Sequence, residues 1–131
     1  MAVSSIKAFF ECNISKVWDI VTSLEDYAWR SDLGKIEILS ALQFVEYTKD
    51  GYATTFTITK TDPCKRWEFD MENENMKGHW TGIFSGNGDG TEIEFIEEVT
   101  AKKLIMKPFV KMYLKKQQAL YIEDLKKAVA D

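Results

Sequence analysis

Histidine and cysteine are scarce in this sequence, and their scarcity excludes several kinds of catalytic site. The 131 residues include one histidine, His79, and two cysteines, Cys12 and Cys64. A metal site built from several histidines is therefore excluded, and so is a catalytic triad with a choice of base. The two cysteines form neither a C-x-x-C pair nor a disulfide framework, which indicates reduced thiols in a cytoplasmic protein. We expect no metal and no cofactor.

The sequence also lacks a long apolar run and an excess of basic residues. No segment approaches the roughly 20 apolar residues that cross a bilayer. Residues 1–10 do not show the basic and then apolar pattern of a signal peptide. The net charge is −4, with 17 Lys and Arg against 21 Asp and Glu. Nucleic acid is therefore not expected as a partner, because binding its phosphates requires a basic face.

Aromatic residues, in contrast, are abundant. The chain has four Trp, five Tyr and eight Phe, within an otherwise ordinary composition of 45% hydrophobic and 29% charged residues. So many aromatic side chains either fill a large core or line a pocket. No linker rich in Pro, Gly or Ser interrupts the sequence, so residues 1–131 are expected to form a single domain.

Alternation of apolar and polar residues predicts seven β-strands. They cover residues 5–10, 35–39, 42–47, 52–60, 66–71, 79–85 and 91–100. After the first strand, Asn13 or Ser15 can cap a helix, and residues 24–29 continue as a further helical turn or a loop. Asp50-Gly51 predicts a hairpin turn, and residues 86–90 predict a tight loop before the last strand.

The C-terminal segment from Pro108 to Ala130 predicts one long amphipathic helix, because proline is favoured at a helix start and neither Gly nor Pro follows it. One stripe of this helix consists of Val110, Leu114, Gln117, Tyr121, Leu125 and Ala128. On another face, lysines recur at every fourth position: Lys103, Lys107, Lys111 and Lys115. This lysine stripe is either a solvated face or a surface for transient contact with an anionic membrane.

The order of these elements predicts an α+β fold. A curved antiparallel seven-stranded sheet must cover its apolar face, and the long C-terminal helix is the element that can do so. Short helices lie between the first two strands. A sheet curved around a helix seldom closes on it along its whole length, so a cavity between the two is expected.

Several short motifs carry a family resemblance. They are residues 15–22 (SKVWDIVT), Tyr27-Ala28-Trp29, Ile36-Glu37 and residues 86–95 (GNGDGTEIEF). In this order and spacing, the sequence resembles the START-like superfamily, in its polyketide cyclase/dehydrase branch. The resemblance covers essentially the whole chain and implies the helix-grip fold.

The resemblance also implies a ligand pocket between the sheet and the long helix. Members of the superfamily use this pocket for lipids, sterols, polyketides or plant metabolites. Some members cyclise or dehydrate polyketides, and others are co-chaperones. The co-chaperone branch usually carries a paired-glycine strand early in the sheet, whereas residues 43–52 here contain only Gly51. That branch is therefore disfavoured.

Strand alternation predicts which side chains face the helix. From the sheet these are Phe44, Phe56, Ile58, Trp67, Phe69, Trp80, Phe84, Ile93 and Phe95, and from the helix Tyr113, Gln117 and Tyr121. They either wall a cavity that has a few polar groups to orient a ligand, or they pack against one another in a full core. The resemblance favours the cavity.

Glu97 is the most informative polar residue, because it shares a strand face with Ile93, Phe95 and Val99. A carboxyl group facing an apolar cavity would have a raised pKa and could serve as an acid or a ligand anchor. Alternatively, Glu97 reaches solvent at the strand end, or a bulge reverses its direction. Glu97 and Tyr121 are the candidate catalytic residues.

Other polar residues are less informative. His79 precedes Trp80 and should point away from the pocket. Arg30 and Asp32 form either an exposed ion pair or a pair at the pocket mouth.

We expect this protein to bind a hydrophobic small molecule, such as a lipid, a polyketide or an aromatic metabolite, as a monomer or a homodimer. Two alternatives remain open. One is a cyclase or dehydratase that acts on such a ligand with one acid or base group. The other is a co-chaperone-like protein-interaction module, which would show an exposed apolar patch and no cavity.

Overall fold

The computed structural model describes residues 1–130, which form a sheet of seven strands, two α-helices and one 3₁₀ helix. The strands are β1 (Ala2–Phe10), β2 (Leu33–Ile38), β3 (Gln43–Thr48), β4 (Ala53–Asp62), β5 (Arg66–Glu72), β6 (Met76–Asn87) and β7 (Gly90–Ala101). The helices are α1 (Ile14–Thr22), the 3₁₀ helix (Leu104–Phe109) and α2 (Val110–Ala130). The predicted α+β fold is confirmed.

All seven strands pair antiparallel, in the order β1-β7-β6-β5-β4-β3-β2. Strands β2 to β7 are therefore successive hairpins, and β1 pairs with β7 to form one edge of the sheet. Gly51 and Gly88 have φ of 85° and 64°, a conformation that favours glycine in tight turns. Asn87 pairs directly with Gly90, so the last hairpin turn is shorter than the predicted loop.

One α-helix, α1, lies between β1 and β2, where the sequence predicts more than one. The side chain of Asn13 caps it by accepting a hydrogen bond from the Ser15 N–H at 2.8 Å. Residues 24–29 do not continue as a helical turn. Instead, the Asp26 N–H donates to the Ser23 hydroxyl at 3.0 Å, so a local side-chain bond replaces the helical one.

The long helix begins at Val110, two residues later than predicted, and Pro108 lies inside the preceding 3₁₀ helix. The Val110 N–H bonds to the Lys107 carbonyl, three residues back, as 3₁₀ geometry requires. The buried residues of α2 are Val110, Leu114, Gln118, Ile122, Asp124 and Leu125. Of the stripe predicted for this helix, Gln117, Tyr121 and Ala128 are thus only partly buried. No helix within the described residues 1–130 combines the length and the apolar character that crossing a membrane requires.

A buried glutamine holds α2 against the sheet. Gln118 accepts a hydrogen bond from the Ser4 hydroxyl at 2.8 Å. Its amide donates to the carbonyls of Ser4 and Phe95 at 3.0 and 3.4 Å. Because both strands next to the helix are engaged, these bonds set the distance between α2 and the sheet.

Candidate functional site

A cavity of about 240 Å³ lies between the inner face of the sheet and the N-terminal half of α2. Ten of the residues that line it are aromatic: Tyr27, Trp29, Phe44, Phe56, Trp67, Phe69, Trp80, Phe95, Tyr113 and Tyr121. The C-terminal half of α2 packs with α1 into the hydrophobic core, where Leu125 is fully buried. The space under the helix is thus filled at one end and open at the other.

Nine of the twelve residues predicted to face a pocket line this cavity. They are Phe44, Phe56, Trp67, Phe69, Trp80, Phe95, Tyr113, Gln117 and Tyr121. Tyr113 is also 49% exposed, so the cavity opens to the surface beside it.

The other three, Ile58, Phe84 and Ile93, do not line the cavity. Ile93 is completely buried, and the Phe84 ring packs edge-on against Trp18 of α1, with 5.0 Å between ring centroids. Ile58 packs against the same core, next to a register shift in β4. All three belong to strands whose inner faces continue beyond the cavity, to the end of the sheet that α1 covers.

The aromatic wall is organised around Phe69. Its ring stacks on Trp80 at 4.7 Å and meets Trp67 and Phe56 edge-on at 5.2 and 5.1 Å. Such pairs contribute about 0.5–1.5 kcal/mol each beyond the area they bury. Gly82 makes room for this arrangement, because a Cβ atom there would lie 2.5 Å from the Trp80 ring. The positions of these aromatic rings are therefore fixed by their contacts with one another.

A charged cluster forms one side of the cavity. The Arg30 guanidinium contacts Asp32 at 3.0 Å and Glu46 at 3.4 Å, and it lies 4.9 Å from the centre of the Tyr121 ring. The Arg30 side chain is only 14% exposed, so the exposed ion pair considered from sequence is wrong. Burial lowers the pKa of Arg30, but Glu46, Tyr121 and Asp32 outweigh this effect and raise it.

The loop that carries Arg30 is attached to α2 by a buried carboxylate. Asp124 accepts hydrogen bonds from the Ser31 N–H at 2.9 Å and from the Ser31 hydroxyl at 2.8 Å. Trp29 from the same loop packs edge-on against Tyr121, with centroids 5.3 Å apart. These contacts place residues 29–32 at the cavity wall.

Glu97 points into the cavity from β7, where it pairs with Trp80 on β6 and with Ser4 on β1. Its carboxyl group has no hydrogen-bond or ion-pair partner among residues 1–130. Burial raises its pKa from 4.5 to about 7, while Arg30 opposes and Glu46 adds to the shift. At neutral pH, Glu97 can therefore either donate or accept a proton.

Two further partly buried groups, Glu46 and Tyr121, contribute to the electrostatics of the cavity. Burial raises the pKa of Glu46, and Arg30 only partly offsets this. Burial also raises the pKa of the Tyr121 hydroxyl, so Tyr121 is neutral at physiological pH and is not a base. Glu46 was missed from sequence, although it shares a strand face with the predicted Phe44.

The sole histidine lies on the outer face of the sheet. His79 Nδ1 is 2.7 Å from Asp70 and Nε2 is 2.8 Å from Glu68. Burial lowers its pKa, but the two carboxylates raise it by more. Within residues 1–130, no group of three or more His, Cys, Asp or Glu side chains could hold a metal ion.

A family model described as polyketide cyclase/dehydrase and lipid transport matches residues 1–130. A START superfamily protein from Mycobacterium smegmatis superposes with a TM-score of 0.89 at 14% identity, over 98% of this chain and 97% of that one. A conserved protein from Geobacillus kaustophilus gives 0.85 at 9% identity, over 98% and 95%.

DynU16, from the dynemicin biosynthetic locus, gives a TM-score of 0.80 at 12% identity, over 98% of this chain and 47% of that one. At these identities the structural matches show a shared fold. A search of curated protein sequences finds no match.

Proposed function

The chain belongs to the polyketide cyclase/dehydrase and lipid transport family and has the START fold, and on this premise we propose that it binds a compact hydrophobic molecule whose polar group contacts Glu97. The aromatic wall supplies apolar contact area. The carboxyl group of Glu97 supplies one directional contact. This combination is typical of small-molecule sites.

The size of the cavity limits the ligand. Its volume of about 240 Å³ is below the roughly 300–1,000 Å³ of sites for drug-sized molecules. It is above the roughly 150 Å³ of an apolar cavity that holds benzene. A molecule of one or two rings fits this space, whereas a lipid with two acyl chains requires the cavity to expand.

The observation that carries the proposal is the carboxyl group of Glu97, which has no partner among residues 1–130 and faces a cavity lined by ten aromatic residues. The Glu97 side chain is partly buried and faces the cavity, so a ligand hydroxyl or carbonyl can form a directional hydrogen bond with its carboxyl group. Anionic ligands are disfavoured, because Arg30 already faces the carboxylates of Asp32 and Glu46. The ligand is therefore neutral or cationic.

Naphthalene derivatives provide a direct test, since two fused rings match the cavity and their polar group can be varied. By isothermal titration calorimetry at pH 7, we expect 2-naphthol to bind at least tenfold more tightly than 2-naphthoate. Glu97→Leu should reduce the affinity for 2-naphthol about tenfold, which corresponds to one hydrogen bond of about 1.4 kcal/mol.

Glu98→Leu is the matched control, because Glu98 is the next residue and points to the outer face of the sheet. It should leave the affinity for 2-naphthol unchanged. The proposal fails if no naphthalene derivative binds saturably. It also fails if 2-naphthoate binds more tightly than 2-naphthol.

A second candidate function is acid–base catalysis on such a ligand. It is favoured by the pKa of about 7 at Glu97, which allows one group to take up and return a proton at neutral pH. If this is correct, a short aromatic-forming poly-β-ketone should cyclise or lose water when incubated with the protein. Glu97→Gln should slow product formation, followed by mass spectrometry, by about 10²–10⁴-fold.

This variant separates catalysis from binding. Glutamine keeps hydrogen-bonding capacity but cannot transfer a proton, so the substrate should still bind. An unchanged rate in Glu97→Gln would exclude Glu97 as the acid or base and leave the binding proposal intact.

A further inference from the structure

Four large apolar side chains are exposed to solvent within residues 104–112. This segment consists of the 3₁₀ helix that follows β7 and the first residues of α2. Leu104 and Ile105 are 78% and 79% exposed, and Phe109 and Met112 are 60% and 59% exposed. We refer to these four residues as the docking ridge. Single exposed apolar residues are ordinary, but a contiguous group of this kind marks an interaction surface.

The docking ridge is held in its outward position by the packing beneath it. Met106 is partly buried and packs against a cluster that contains Val99, Val110 and Leu114. The Met106 N–H bonds to the Lys103 carbonyl at 3.1 Å, and the Val110 N–H bonds to the Lys107 carbonyl. Since Met106 occupies the inner side of the 3₁₀ helix, Leu104 and Ile105 face outward.

The sequence segment that carries the docking ridge has charge of one sign. Residues 99–122 contain six lysines and no Asp or Glu, in a chain whose net charge is −4. Lys102 pairs with Glu72 at 2.7 Å, and the other five, Lys103, Lys107, Lys111, Lys115 and Lys116, are exposed. Apolar side chains surrounded by lysines are the pattern of surfaces that lie in a membrane interface. Lysines next to an anionic bilayer are attracted by its negative surface potential.

We propose that the docking ridge inserts into the surface of an anionic lipid bilayer while Lys103, Lys107 and Lys111 contact the lipid headgroups. A second copy of the chain is a poorer occupant, because pairing two docking ridges brings two sets of lysines together. The positive charge selects an anionic surface, and the apolar side chains select one with a hydrocarbon interior. A bilayer of anionic lipid offers both.

The docking ridge lies next to the opening of the cavity. Tyr113 follows Met112 directly, is half exposed and lines the cavity. The opening of the cavity therefore lies next to the membrane-facing surface. A hydrophobic molecule dissolved in the bilayer can enter without crossing bulk water. The docking proposal itself does not depend on which ligand the cavity takes.

Vesicle co-sedimentation tests the proposal with the whole protein. At 0.1 M salt, we expect binding to vesicles of 70% phosphatidylcholine and 30% phosphatidylglycerol, and at least tenfold weaker binding to pure phosphatidylcholine. Binding should weaken as salt is added, because salt screens the lysine–headgroup attraction. Leu104→Ser combined with Ile105→Ser should reduce the partition coefficient at least tenfold, and Lys103→Glu combined with Lys107→Glu should do the same.

Each pair of substitutions has a matched control. Leu39 and Leu42 are 51% and 58% exposed near the other edge of the sheet, so replacing both by serine removes exposed apolar surface elsewhere. Lys60→Glu combined with Lys65→Glu makes the same change in net charge near the β4–β5 turn. Both control pairs should bind vesicles like the unmodified protein. All substituted residues are exposed, and circular dichroism should show that every variant is folded.

The possible outcomes are distinct. Absence of binding to anionic vesicles overturns the docking proposal, and so does equal weakening by the control pairs. If sedimentation velocity shows a dimer that Leu104→Ser with Ile105→Ser dissociates, and vesicles are not bound, the docking ridge is a self-association surface instead. Affinity for 2-naphthol in the same variants should be unchanged, so failure of docking is distinguishable from failure of ligand binding.

Discussion

Replacing Glu97 by glutamine is expected to raise the free energy of unfolding by roughly 3 kcal/mol at pH 8 and to leave it nearly unchanged at pH 4. The pKa of Glu97 is 4.5 without the effect of burial and about 7 in the folded protein, and each unit of difference corresponds to about 1.4 kcal/mol. Between these pH values, the unfolded chain ionises Glu97 while the folded chain keeps it protonated. The natural protein therefore loses stability as the pH rises from about 4.5 to 7.

Glutamine removes this penalty because it cannot ionise. The effect involves every charged group near Glu97: Arg30 lowers its pKa, Glu46 raises it, and all of them are unchanged in the variant. Urea unfolding of both proteins at pH 4, 6 and 8 would measure the difference. Glu98→Gln serves as the control from the outer face of the sheet. A variant that is no more stable than the natural protein at pH 8 would contradict the buried, unpartnered position of Glu97.

Replacing Arg30 by methionine is expected to lower the free energy of unfolding by about 3–5 kcal/mol at pH 7. Removing one partner of a buried ion pair leaves the other charge without compensation, which is the costly case. Glu46, whose side chain is only 17% exposed, would lose its cation. Asp32 would lose its ion-pair partner, and the Tyr121 ring would lose the guanidinium that lies over it.

A second substitution makes this prediction specific. Glu46→Gln in the Arg30→Met background should restore a large part of the lost stability, because it removes the uncompensated charge. Arg66→Met is the matched control, since Arg66 pairs with Glu68 but is 43% exposed, and exposed pairs contribute about 0–1 kcal/mol. If Arg30→Met and Arg66→Met lowered the free energy of unfolding equally, the Arg30 ion pairs would contribute no more to stability than an exposed pair.

Much of the fold could be predicted from the sequence because its strands alternate regularly and its turns contain glycine at positions of positive φ. The start of the long helix could not. Residues 104–109 can form either a 3₁₀ helix, with hydrogen bonds between residues i and i+3, or an α-helix, with hydrogen bonds between residues i and i+4. The choice depends on how Met106 packs against β7. That packing is a tertiary contact, so the sequence favoured a helix start at Pro108, where the structure has a 3₁₀ helix.

The inward direction of residues on a strand is readable from alternation, and the structure indeed places Phe69, Trp80 and Glu97 at the cavity. Alternation does not show how far a cavity extends along a strand. Phe84 has the same parity as Trp80, but it lies under Trp18 of α1. Glu46 could have been found by the argument applied to Glu97. The hydrogen bond from Ser31 to Asp124 joins residues 93 positions apart, so no local sequence pattern predicts it.

Three of the four tryptophans border the cavity, and two of them are close neighbours. Trp67 and Trp80 lie 6.0 Å apart at an angle of 79°, whereas Trp18 packs against Phe84 away from the opening. Indole rings at such a distance couple electronically, so their ultraviolet circular dichroism and emission depend on what separates or polarises them. A ligand that binds in the proposed site should therefore change the intrinsic tryptophan signal, which can be followed without an added label.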